Sequence, residues 1–212
     1  KEVWLYIIFG YYILATLLPV DKIIGSIYPY MGAVLLFMAL GIGVMLIAGD
    51  LNGSHQMQEL DFASLRNWHS NPQQNVLVPM MFIVISCGAI SGFHATQSPM
   101  MARCLKNERY ARPVFYGAMI AEGIVAMIWA TAAITYFGGP EGLNAAMTET
   151  GTLVDGVLVK NAQAADIVDM ICKSWLGKAG AVIAILGVVI CPITSGDTAF
   201  RSLRLALADL FR

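Results

Sequence analysis

Charge is what this sequence has least of. Lys, Arg, Asp and Glu make up 13% of its 212 residues, against roughly 25% in soluble domains. The formal net charge is −1, so no basic excess exists to hold a phosphate backbone, and nucleic acid is excluded as a partner. Cysteine is sparse as well. Cys87, Cys104, Cys172 and Cys191 show no CxxC or CxxxxH spacing, which argues against a zinc site and a disulfide framework. His55, His69 and His94 lie too far apart to form a ligand cluster, so no metal and no other cofactor is expected. No nucleophile–base pair or phosphate-binding loop stands out, which argues against an enzyme. The order of a secretory signal, with its basic, apolar and cleavage regions, is missing too. Lys1 opens the sequence and an apolar run starts at Val3; we read the chain as an internal portion of a longer protein.

What is present is apolar. Hydrophobic residues make up 58% of the chain before its glycines are counted, above the roughly 45–50% that soluble domains reach with glycine included. A helix needs about 20 apolar residues to cross a bilayer core. Trimmed at turn residues, the runs poor in charge give five spans, at about 3–19, 30–49, 76–102, 114–137 and 178–200. The expected fold class is an all-α polytopic membrane protein, a single transmembrane domain with the lipid bilayer as its surroundings. The link Arg103–Pro113 carries Arg103, Lys106, Arg109 and Arg112, and the tail Arg201–Arg212 carries three more basic residues. Positive residues favour the cytoplasmic side, so both segments are expected there. Spans four and five supply the even number of crossings between them. Loops 50–75 and 138–177 then lie outside.

The second loop has structure of its own. Thr152–Val159 reads TLVDGVLV, two β-branched runs about Asp155-Gly156, which is a two-residue hairpin signal. Beyond it Ile167, Val168, Ile171, Trp175 and Leu176 share one helical face, with Asp166, Asp169 and Lys173 off it. That pattern predicts a lid packed on the bundle; a solvated linker is the alternative.

The third span breaks the regular pattern. Its run Val76–Ala102 is long for one crossing. Its centre offers Ser86, Gly88, Ser91, Gly92, His94, Thr96, Gln97 and Ser98, with Pro99 after them. Ser98-Pro99 reads as an N-cap followed by proline at the first helical position. We therefore expect a half-helix over about 77–87, non-helical backbone over Gly88–Ser98, and a restart at Pro99. Irregular backbone at membrane depth is tolerated only where protein or water covers it, and facing half-helix ends bind solutes and ions in secondary transporters. These eight residues are the substrate-binding candidates; a Gly-kinked helix in tight packing is the competing reading. Near the end of span five, Thr194, Ser195, Asp197 and Thr198 follow Pro192 and offer oxygens for a cation or the solute. They can equally back-bond to their own helix or, for Asp197, pair with Arg201. Glu122 sits about eight residues into span four. A carboxylate there is costly unless it is protonated, paired or facing water, which makes it a proton-coupling candidate.

Three strings, CGAISGFHATQSPMMARC, FYGAMIAEG and CPITSGDTAFRSLR, occur in this order, and the chain resembles the carbon starvation protein A family. The resemblance implies a multi-pass protein of the bacterial inner membrane that takes up peptides or pyruvate when carbon is scarce, coupled to protons, with sodium the second choice. It also implies likeness to the amino acid–polyamine–cation superfamily, whose core is an inverted-repeat bundle with broken helices. The broken span would then correspond to the sixth core helix and the Thr194–Thr198 segment to the eighth. The rival function is a membrane sensor or structural subunit of the starvation response that moves no solute.

Overall fold

The computed structural model describes residues 6–7, 9–13, 21–59, 62, 66–69, 71–89, 98–99 and 101–211. Within its helices it describes the backbone alone at 21–28, 87–89, 181, 184–185, 188–195, 197–198, 201, 205 and 209. Five helices and one hairpin follow in chain order. They are α1 (Asp21–Leu51), α2 (Leu77–Ala89), α3 (Ala118–Tyr136), α4 (Pro140–Met147), β1 (Thr152–Val154), β2 (Val157–Val159) and α5 (Ala164–Leu210). Short helical stretches cover 6–7, 9–13, 98–99 and 101–104.

The helix α1 is built from Ile, Leu, Met, Ala and Gly, and it continues through Pro29. Its buried side chains Met38, Ala39, Ile42 and Leu46 recur at helical spacing and form one stripe. That stripe packs against α5 and α3. Small residues let the backbones approach, as is common between helices in membranes. A Cβ on Gly41 would stand 3.3 Å from Leu176, and one on Gly43 would stand 3.5 Å from Ile128. Because Gly43 meets Ile128 while residues 53–58 meet 134–139, α1 and α3 run in the same direction. Gly41 meets Leu176 while Gly187 meets Leu35 and Met38, so α5 runs the opposite way. At its far end α5 receives the 9–13 stretch, where the Tyr12 ring stacks on Phe200 at 5.1 Å.

The helix α3 does not start cleanly. Residues Arg112–Gly117 wind more widely, as a π-type helix with Pro113 in the first turn, and then tighten into α3. Glu108–Tyr136 and Pro29–Leu51 are, among the described residues, the two helices long and apolar enough to cross a membrane. Together with the family match reported below, they make this a mostly helical membrane protein.

One end of the bundle is closed by the segment after α3. Gly139-Pro140 starts α4, and Ala146 on it is fully buried. The hairpin pairs Thr152 with Val159 and Val154 with Val157. Its turn has Asp155 at φ 49° and Gly156 at φ 80°, the positive pair that a type I′ turn requires. The first turns of α5 then cross the bundle end. Gln163 and Asp166 form a capping box at its start, the Gln163 N–H donating to Asp166 Oδ2 at 2.9 Å. Ile167, Ile171, Cys172 and Trp175 are buried, whereas Asp166 and Lys173 are exposed. Of the face that periodicity predicts, Val168 and Leu176 are only half-buried, as is Asp169, which was expected off that face. At Gly177 (φ 66°, ψ −157°) the chain changes direction before α5 continues. A left-handed residue there is easy only for glycine.

Candidate functional site

The candidates of the third span divide. Ser86 lies on α2 and is exposed, and Ser98 is exposed in a short helical stretch. Gly88 corrects the sequence reading: α2 continues through it to Ala89, and Ser98 is already helical. A glycine in a helix costs about 1 kcal/mol relative to alanine. The apolar run from Leu77 tolerates that cost in its last turn, so any non-helical stretch is shorter than Gly88–Ser98. Ser91, Gly92, His94, Thr96 and Gln97 lie outside the described residues.

The coupling candidates fall on two elements. Glu122 is exposed on α3, four residues after its start. At its neighbour Gly123 a Cβ would meet nothing within 4 Å, so that face of the helix is open. The backbone stays helical through Pro192 and the Thr194–Thr198 segment; the side chains of Thr194, Ser195, Asp197 and Thr198 are outside the description. Gly196, in the middle of that segment, lies directly under the Tyr12 ring and leaves no room for a side chain. Tyr12 is a neighbour of this segment that sequence reasoning missed.

Sequence reasoning also missed a polar cleft at the closed end, which two helix ends build in the same way. On α1 the Ser54 N–H donates to Gly49 O at 2.9 Å and the Gly53 N–H to Asp50 O at 3.1 Å, with Gly53 at φ 69°. On α3 the Gly139 N–H donates to Ile134 O at 2.8 Å and the Gly138 N–H to Thr135 O at 3.2 Å, with Gly138 at φ 70°. Both are Schellman caps, in which a left-handed glycine lets the chain turn back on the last carbonyls. Between them lies a cleft of about 460 Å³, lined by His55, Gln56, Gln58, Thr135, Gly138 and Gly139 among others. The Met57 N–H donates to Asp50 Oδ1 at 2.9 Å, and Ser54 Oγ to Gly49 O at 3.2 Å, which holds the 53–58 turn in place. The His55 ring packs against Trp175 of the lid helix, centroids 5.2 Å apart. It passes close over Gly49, where a Cβ would come within 2.9 Å of it.

Further contacts tie the two loops together at this end. Asn144 Nδ2 donates to Trp68 O at 2.6 Å, and Arg66 pairs with Glu141 at 3.1 Å. Under the lid, burial and then the nearby Asp169 push the Cys172 thiol up to about 11. It is therefore a packing group rather than a nucleophile at neutral pH. Among the described residues, no three His, Cys, Asp or Glu side chains are grouped to hold a metal ion.

Comparison with known proteins gives a consistent answer. The family described as Carbon starvation protein CstA matches residues 1–169. An uncharacterized membrane protein of Haemophilus influenzae is 44% identical over 156 residues, 69% of this chain and 42% of its own length. Pyruvate/proton symporter BtsT of Escherichia coli is 30% identical over 188 residues, 86% of this chain and 25% of its own. Peptide transporter CstA of Mycobacterium tuberculosis is 34% identical over 128 residues, 59% of this chain and 16% of its own. The chain thus spans less than half the length of these relatives. No solved structure matches it.

Proposed function

This chain belongs to the carbon starvation protein CstA family, and from that premise we propose that it forms part of the membrane bundle of a secondary transporter. In this reading five spans belong to an inverted-repeat bundle of the amino acid–polyamine–cation type, in the inner membrane of a bacterium. Its solute is a peptide or pyruvate, and protons drive uptake during carbon starvation. The observation that carries the reading is the similarity, along 86% of the chain, to a protein named as a pyruvate/proton symporter. Relatives named as peptide transporters support it from a second side.

The fold is compatible with such a cycle. Parallel α1 and α3, with α5 running against them, bring loops 50–59 and 138–177 to one end; we assign that end to the outside. The solute path runs past the end of α2, and Ser86, Gly88, Ser91, Gly92, His94, Thr96, Gln97 and Ser98 are its candidate binding residues. Glu122 carries the proton, with Thr194, Ser195, Asp197 and Thr198 beside the path. A carboxyl group on a bundle helix can take a proton from one side and release it to the other.

Uptake of labelled pyruvate and dialanine into vesicles holding the protein that carries this sequence tests the proposal. We expect Glu122→Gln to lose uphill uptake driven by a proton gradient while still exchanging solute. A variant that concentrates solute as well as the parent would move coupling away from Glu122. Uptake that depends strictly on sodium would overturn the proton assignment. No uptake of either solute would overturn the transporter reading.

A further inference from the structure

The loop that leads into α2 is held by its own polar side chains, and a histidine stands at their centre. The Asn71 N–H donates to His69 Nδ1 at 3.0 Å. Asn75 Nδ2 lies 3.3 Å from the same ring nitrogen and donates to Asn71 O at 3.2 Å. The Asn75 N–H also donates to Asn71 O, at 3.1 Å. Asn67 completes the ring of bonds: its Oδ1 accepts the His69 N–H at 3.1 Å, and its Nδ2 donates to Asn75 O at 2.6 Å.

This loop joins two elements. On one side Trp68 O accepts from Asn144, and Arg66 pairs with Glu141, both partners lying on α4. On the other side Val76 O accepts the Met80 N–H at 3.2 Å as α2 begins. Every described side chain of α2 is exposed, so the placement of that helix relies on the chain at its ends.

The bonds fix the state of the ring. A backbone N–H can only donate, so His69 Nδ1 is the acceptor and the proton of the neutral imidazole sits on Nε2. Asn75 Nδ2 then donates to the same nitrogen. Protonation turns Nδ1 into a donor that faces two other donors, and both bonds are lost together. Histidine is the side chain that changes charge between about pH 5 and 8. The charged groups of the described elements bonded to the loop are Arg66, on the loop itself, and Glu141 on α4; α2 carries none. Those two pair with each other at 3.1 Å, and Arg66 lies over the Trp68 ring at 3.7 Å. The imidazole is exposed and takes its proton from the solvent.

We infer that His69 is a pH-sensitive latch on the start of α2: with the ring neutral the 67–75 loop is closed, and with the ring protonated it opens. The order of the loop is present above the titration of the ring and is lost as pH falls through it. The bonds to α4 put the loop at the end assigned above to the outside, the acidic side of an inward proton gradient. Acid there would free the start of α2 when the driving force for uptake is largest. That last step alone rests on the transporter reading.

Two measurements on the protein in lipid nanodiscs test the latch. NMR of isotope-labelled histidine rings reads the tautomer, and hydrogen exchange reads the Asn71 amide. His69→Asn identifies the ring signals by difference; it sets an oxygen in the place of Nδ1 and cannot be protonated. At neutral pH we expect the proton of the His69 ring on Nε2. As the ring is protonated, the Asn71 amide should lose protection on the order of tenfold beyond the change in intrinsic exchange. The His69→Asn protein should keep its protection, and His69→Ala, which removes the acceptor, should show the low value at every pH. A proton on Nδ1 at neutral pH overturns the inference. So does equal protection of Asn71 on both sides of the titration, or the same loss in His69→Asn. Pyruvate uptake into vesicles at an outer pH of about 6 should be slower in His69→Asn than in the parent. Equal uptake there removes the role of the latch in transport. No uptake by either protein removes the transporter and leaves the latch standing, because tautomer and exchange are read without transport.

Discussion

The closed end of the bundle and the segment around α2 both carry large apolar side chains, yet they hold them in opposite ways. At the closed end Ile42, Ala132, Ala146, Ile171 and Cys172 are fully buried, and Trp175 is 7% exposed. Along α2 every described side chain is exposed; Phe82 is at 59% and Val84 at 67%. The first region finds its partners within this chain: helix caps, a hairpin, a lid and two ring contacts of Trp175, to His55 and Tyr136. The second presents its apolar surface outward, which is stable only against lipid or further protein. Hydrophobicity alone therefore does not separate a packed core from a membrane-facing surface. The polar punctuation around it does.

That comparison can be tested from its strongest element downward. Trp175→Ala removes the largest ring from the lid. It should destabilise the protein by roughly 3–5 kcal/mol, the range for emptying a packed aromatic site, seen as a lower midpoint in thermal unfolding in detergent. Phe82→Ala, measured alongside, should change that midpoint little where lipid or detergent covers α2. A loss as large as that of Trp175→Ala would mean that other protein packs there.

Gly138→Ala comes next. Its φ of 70° is costly for any residue with a Cβ, by roughly 1–2 kcal/mol. Nothing stands within 4 Å of the added methyl group, so the loss should come from the backbone alone. An unchanged midpoint would show that the cap at the end of α3 does not hold the cleft.

The smallest effect concerns Cys172. Its pKa is raised from 9.0 to about 11, so the folded protein holds this proton more tightly than the unfolded chain does. The contribution is complete below pH 9 and is lost as pH rises towards 11. Alkylation at pH 8 should label Cys104, which is exposed, and spare Cys172 until the lid unfolds. Fast labelling of Cys172 in the native protein would show that the closed end opens.

Local chemistry was legible in the sequence and the meeting of distant segments was not. The hairpin could be read because Asp155-Gly156 fixes its own turn. The face of the lid helix could be read because a buried stripe repeats at helical spacing. The long strings beginning at Cys87 and Phe115 carried the family resemblance, and they fall inside the residues that the family matches; the string from Cys191 lies beyond them. Gly88 misled, because glycine marks a break only where the surrounding run is too weak to carry the helix across it. The cleft could not be found at all. Its walls are the ends of two helices far apart in sequence, and Asn52-Gly53 and Gly138-Gly139 signal only that each helix stops. That Thr135 has no hydrogen-bond partner among the described residues is a fact of three-dimensional arrangement, with no trace in residue order.

The core of the closed end also sets an order in time. Ile42 and Leu46 on α1 pack in one cluster with Ile167, Ile171 and Trp175 on α5, from opposite halves of the chain. A chain made from its N-terminus completes α1 long before α5 exists, and contacts between such distant segments form late. In the interval the stripe of α1 has α3 but not α5 to face, and lipid or an insertion factor covers the rest. Synthesis of the lid helix is then the event that releases α1 from that temporary cover, and a ribosome stalled before Trp175 would leave α1 in the membrane without its permanent neighbour.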